Sequence, residues 1–287
     1  MLIHIGYDLQ ITLSAPTPVM LLLDVHPSRM NDLLNYSPIA IPGIEITQSV
    51  DFYGNRMQRF LAPAGPISLS ASGLIKDPGT LDPIFPDAQE VPVADLPDYC
   101  LHYLSGSRYC ETDELNALAW SLFGNIKPGW TRVQAIVNYV HKHLRFSYPE
   151  ASSTRTALSA YNGRVGVCRD FAHLAIALCR CMNIPARYVN GYLGDINVPA
   201  DPAPMDFSAW MEVYLDHRWI TFDPRHNKRR TGRIVIARGR DAADVAMITT
   251  YGPHTLNKFT VITDEVKDTV PGQTRKSAFG GLLTRAA

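Results

Sequence analysis

Gly166–Met182, GVCRDFAHLAIALCRCM, sets a cysteine where a glycine-containing loop turns into an apolar helix. The helix is expected over 168–182, ending before Asn183-Ile184-Pro185 because proline disfavours helical backbone in its predecessor. At such a start, unsatisfied backbone N–H groups and the positive end of the macrodipole favour thiolate over thiol. The same N–H groups suit the oxyanion of acyl transfer. Cys168 is therefore a candidate nucleophile, against the alternative that it is a small buried hydrophobe.

Downstream, FSAWMEVYL and RWITFD flank a short connection at Asp216-His217, which reads as a hairpin. Pairing Leu215 with Arg218 places Val213 opposite Ile220 and Met211 opposite Phe222. One face then carries Phe207, Ala209, Met211, Val213, Leu215, Ile220 and Phe222, and is core. The other carries Ser208, Trp210, Glu212, Tyr214, Trp219, Thr221 and Asp223. In this register Asp223 lies opposite Trp210 and diagonal to Ser208. A one-residue slip would exchange the two faces, so the register is well specified.

Working outward, helices are expected over 112–123 and 131–145, the second opening with the capping pair Thr131 and Gln134. Alternation from Ile3 to Leu13 predicts a strand with one buried face. Further strands are expected at 19–25, 44–52, 56–62 and 66–75, with Gly54-Asn55 suited to a tight turn. These short strands suggest a β-sandwich. Later strands are expected near 186–193, 207–215, 218–223 and 233–237. The proline-rich stretch 76–98 reads as a linker, and 266–287 as a flexible tail.

The segments GVCRDFAHLAIALCRCMNIPARYVNGYL, DFSAWMEVYL and RWITFDPRHN resemble the three core segments of transglutaminase-like proteins, bacterial relatives of papain-type cysteine enzymes. The resemblance covers about 130–251 strongly and 1–95 more loosely, as the β-rich N-terminal region some members carry. It implies an α+β chain: a β-sandwich-like domain with linker over 1–95, a papain-like, transglutaminase-like domain over 96–265, and a tail over 266–287. It also implies that Cys168 is the nucleophile and Asp223 the acid that orients a histidine. That histidine is expected just before Ala209-Trp210, where this chain has Ser208. A serine with an unperturbed hydroxyl cannot take a thiol proton near neutral pH.

Three readings of Ser208 stand. His226, in DPRHN, serves as substitute base if the loop after Pro224 swings its ring back. Alternatively, Cys168 works as a thiolate held by the helix terminus and Arg169. Or the fold is kept as a peptide-binding module without chemistry. The implied activity is thiol-dependent acyl transfer on a peptide or protein amide: proteolysis, amidase action or amide exchange.

Other residues are weighed the same way. His173, five positions after Cys168, points about 140° away and reads as a hydrogen-bonded helix residue. Trp210 suits a cleft wall, and Glu212 a partner for an arginine. No CxxC pairs or HExxH pattern occurs, His141 and His143 point to different sides, and neither metal nor cofactor is expected. Lys228, Arg229, Arg230 and Arg233, with Arg225 before them, form either a solvated loop or a rim that attracts an acidic substrate.

Composition limits the partners. In the 287 residues, 27 Lys and Arg balance 27 Asp and Glu, which argues against nucleic acid. The densest apolar run, Val19–Val25, is far short of the ~20 residues of a membrane span. With no charged leader and five cysteines, too few for a disulfide framework, a reducing, cytoplasmic setting is expected.

Overall fold

The computed structural model describes residues 1–267. The first half is mostly strand: β1 Leu2–Leu13, β2 Thr17–Leu21, β3 Thr47–Val50, β4 Arg56–Ala62 and β5 Gly65–Lys76. Helices follow: α1 Asp98–Leu101, α2 Thr112–Phe123 and α3 Trp130–His143. After β6 Arg145–Phe146 come α4 Ala157–Gly163, β7 Val165–Gly166 and α5 Cys168–Cys181. The chain then runs through β8 Ala186–Tyr192, β9 Ser208–Leu215, β10 Arg218–Phe222, β11 Ile234–Gly239, β12 Ile248–Thr250 and β13 His254–Glu265.

The fold is α+β, with a β-sandwich-like N-terminal part and a core of helices packed on an antiparallel sheet. In the sandwich the strand orders are β13-β1-β5 and β12-β2-β4-β3. The alternation in β1 has its predicted effect, since Ile3, Ile5, Leu9 and Ile11 are fully buried. The tight turn between β3 and β4 uses Gly54 at φ +83°, where a side chain would be strained. Asn55 beside it is buried and bonds both the carbonyl and the N–H of Arg238, joining this turn to β11.

In the core, an antiparallel sheet ordered β10-β9-β8-β11 packs on α5. Every α5 residue from Asp170 to Cys181 is buried, so the helix is the hub around which α2, α3 and α4 pack. The β9–β10 register is the predicted one: Leu215 pairs with Arg218 and Met211 with Phe222. Asp216 and His217 both have positive φ, the mirror-image turn that matches strand twist.

Three expectations need correction. Strands β12 and β13 pair with β2 and β1, so residues 248–265 complete the first region's sheets and do not belong to the second. The stretch 76–98 is no bare linker. Leu81 bridges Thr231, Glu90 pairs with Arg132 at 3.0 Å, and Val91 and Leu96 pack on Tyr214. The second face of β9 is buried too, Tyr214 by that cover, Trp210 by Val189 and Val235, and Glu212 by Arg187 and Arg238. Val266, the first residue of the expected tail, is tied to the sheet, its N–H bonding the Leu2 carbonyl at 2.9 Å. Residues 268–287 lie outside the described residues.

Candidate active site

Cys168 is the first residue of α5, after an extended Val167. The turn is built by Asp170, whose carboxylate accepts the Val167 N–H at 2.9 Å and pairs with Arg155 at 3.3 Å. A Cβ on residue 166 would stand 2.5 Å from the Asp170 Cβ, so the glycine lets this carboxylate close on the turn. The helix start does not leave a resting thiolate. Burial pushes the Cys168 thiol up to about 11, and the charges of Asp206 and Asp223 act in the same direction. Arg225 and a hydrogen bond from the Ala209 backbone pull the other way without overcoming them.

Asp223 follows β10, and its side chain is 2% exposed. Burial alone would raise its pKa. The Arg233 guanidinium at 2.8 Å and the contacts of His226 together hold it well below the usual carboxylate range. After Pro224 the chain turns sharply. The His226 N–H donates to Asp223 Oδ1 at 2.9 Å, and the Asn227 N–H donates to the Asp223 carbonyl at 2.8 Å. Asn227 takes φ +48°, which asparagine tolerates.

The loop therefore swings the imidazole back, with His226 Nδ1 2.9 Å from Asp223 Oδ2. This leaves Nε2 as the ring nitrogen not committed to the acid. Helix α3 fixes the loop from behind. His141 Nδ1 donates toward the carbonyls of Pro224 and Arg225, and Gln134 and Asn138 bond the Asn227 side chain.

Ser208 opens β9 and pairs in register with Gly191. It is 6% exposed, and its Oγ has no hydrogen-bond partner. A buried polar atom left unmatched costs ~1–3 kcal/mol, a cost that a hydrogen-bonding ligand would relieve. Ser208, Phe207, Arg225 and His226 line one cleft, together with Asp195, Asp201 and Asp206.

The remaining residues take structural posts. Trp210 is buried against Val189 and Val235, and the Arg233 guanidinium lies 5.0 Å from its ring centroid, so it is a floor for Arg233 and not a cleft wall. Glu212 pairs with Arg187 and with Arg238 at 2.9 Å. His173 is buried, stacks on Tyr109 and accepts the Ala242 N–H at 3.1 Å.

The basic run divides: Lys228 and Arg229 are exposed, as a solvated loop would have them, whereas Arg230 and Arg233 are drawn inward by acids. Arg233 pairs with Asp82 and Asp223, Arg230 with Asp195, and Arg229 bonds the Asp82 carbonyl. The proposed attraction for an acidic substrate therefore loses most of its charges. Sequence reasoning missed Asp82, which lies in the supposed linker and gives no local signal. It also missed Arg233 as the partner of Asp223, and Asp206.

The family model of the transglutaminase-like superfamily matches residues 116–224. The crystal structure of a candidate cysteine protease from Cytophaga hutchinsonii matches with a TM-score of 0.80 and 31% identity, covering 96% of this chain and 95% of that one. The chain belongs to the transglutaminase-like superfamily. An uncharacterized Mycobacterium tuberculosis protein is 38% identical over 91 residues, 29% of this chain and 29% of that protein. The alignment thus spans under a third of that relative's length. An uncharacterized Mycobacterium leprae protein is 25% identical over 216 residues, 72% of this chain and 76% of that protein. Among the described residues of this transglutaminase-like chain, no helix is long and apolar enough to cross a membrane.

Proposed function

We propose that the protein is a cysteine-dependent acyl-transfer enzyme acting on a peptide or protein amide, with water as the usual acceptor. The observation that carries this reading is the His226–Asp223 contact. A histidine outside the family slot makes, through Nδ1, the bond to Asp223 that a catalytic imidazole needs. Nε2 is then the nitrogen that takes the Cys168 proton when substrate closes the cleft. The thiolate attacks the carbonyl carbon, and the oxyanion falls to the backbone N–H at the start of α5. Collapse breaks the C–N bond, the amine leaves with the proton from His226, and a thioester remains. Water adds to the thioester, giving up its proton to His226, and the acid is released as the thiol re-forms.

A thiol raised to about 11 fits this order of events, because the proton leaves Cys168 only when a base is positioned to receive it. The five free cysteines, four of them buried, support a reducing, cytoplasmic setting.

The test is incubation of the purified protein with a peptide-amide library, with hydroxylamine present to intercept a thioester as a hydroxamate. Amine release and hydroxamate that both vanish in Cys168→Ala support the enzyme. Peptide retained by the protein without amine release or hydroxamate points to the binding module.

A further inference from the structure

We propose that the cleft beside Cys168 selects substrates carrying a cationic group next to the scissile amide, a lysine or arginine side chain, with Asp206 as its main contact. This rests on the acyl-transfer reading of the same site and names its substrate class.

The charges lining the cleft are unevenly used. Asp195 shares Arg230, whose guanidinium also donates to the Gly194 carbonyl at 2.9 Å. Asp206 accepts the Phe207 N–H at 2.6 Å, and Asp201 accepts the Ala203 N–H at 2.9 Å. Among the described residues, neither has a Lys or Arg nitrogen within 4.0 Å. The cleft also holds the Arg225 guanidinium, which has no ion pair among the described residues, lies 3.9 Å from the Phe146 ring centroid and exerts its charge on Asp206. Two carboxylates without an ion pair thus share the cleft with one stacked cation.

Asp206 is also near the chemistry, since its charge acts on the Cys168 thiol. A second observation points independently to a ligand: Ser208, 6% exposed, lines this cleft and carries a buried Oγ with no partner. The carboxylate lining continues outward, where Asp195 and Asp201 share a further cavity with Asp264 and Glu265. Carboxylates outnumber the one lysine, Lys267, in that outer cavity, and at Asp206 an entering cation meets a partly buried carboxylate whose only bond among the described residues is to a backbone N–H.

The test needs no turnover. Cys168 is modified with two methanethiosulfonates of matched size, one bearing trimethylammonium and one sulfonate, and each rate is divided by that on free cysteine. The four other thiols are buried, and Cys168→Ala supplies the blank. The cationic reagent is expected to be favoured by at least about tenfold. Asp206→Asn is expected to remove most of that preference, with Asp206→Ser as the second variant if the first does not fold. Equal normalised rates, a preference for the sulfonate that would assign the cleft to Arg225, or a ratio unchanged by both variants would overturn the proposal. Because the readout is reagent charge, a protein that shows the preference yet hydrolyses no amide refutes only the acyl-transfer reading.

Discussion

Two polar clusters meet at the site and are built on opposite terms. Around Asp223 both carboxylate oxygens are bonded: Arg233 and His226 take them, Asp82 holds the Nε side of Arg233, and α3 clamps the loop that carries the imidazole, leaving Arg233 Nη1 as the one unmatched nitrogen of that guanidinium. Around Cys168 much is left open: Ser208 Oγ has no partner, Asp206 has one backbone contact, and the thiol keeps its proton. A satisfied buried network fixes geometry, whereas an unsatisfied one stores demand for a ligand. In the proposed reaction the Asp223–His226 half is the preorganised framework, and the thiol half is where substrate completes the bonding.

Substitutions test that contrast from its largest effect down. Cys168→Ala is expected to abolish amide cleavage, by on the order of 10⁴-fold or more, with the melting temperature nearly unchanged. His226→Ala should lower kcat by about 10²–10⁴-fold and leave substrate binding largely intact, as steady-state kinetics would show. Arg233→Met falls in the satisfied cluster. It strands Asp223 and Asp82 and should cost about 3–5 kcal/mol in urea unfolding, while a null result would deny that the network is a framework. Ser208→Ala falls in the open cluster and should cost no stability, with a gain of up to about 1 kcal/mol, because it deletes an unmatched hydroxyl.

The pH dependence carries a sign. Cys168 titrates at about 11, above the ordinary thiol value of 9.0, so it is protonated and slow to alkylate at neutral pH. Simple iodoacetamide modification should rise as pH climbs from 9 toward 11. A plateau already reached below pH 8 would mean that the helix start outweighs burial.

The legible parts were those with local periodicity. Alternation fixed β1, and the buried-face rule fixed the β9–β10 register to the residue, which put Asp223 diagonal to Ser208. The helix over 168–182 was equally plain, because loop, helix and Asn-Ile-Pro stop follow one another. What local pattern could not carry was long-range pairing. Nothing in 248–265 announces that those strands close a sheet begun at residue 2. Asp82 is an acid among prolines until the fold brings it to Arg233. The thiol's pKa was read with the wrong sign because the helix terminus is visible in sequence and desolvation is not. His226 lay between the two cases: strand geometry pointed it away, and only the turn from Asp223 to Asn227 shows the ring returning.

The central claim is that His226, and no residue in the family slot at 208, activates Cys168. Its most direct test is the rate at neutral pH of Cys168 labelling by a peptidyl acyloxymethyl ketone, which needs an imidazole-activated thiol, in the native protein and in His226→Ala. The account predicts labelling at Cys168 that falls at least about 100-fold in the variant, with iodoacetamide modification at pH 11 unaffected. Labelling of His226→Ala at the native rate would contradict it.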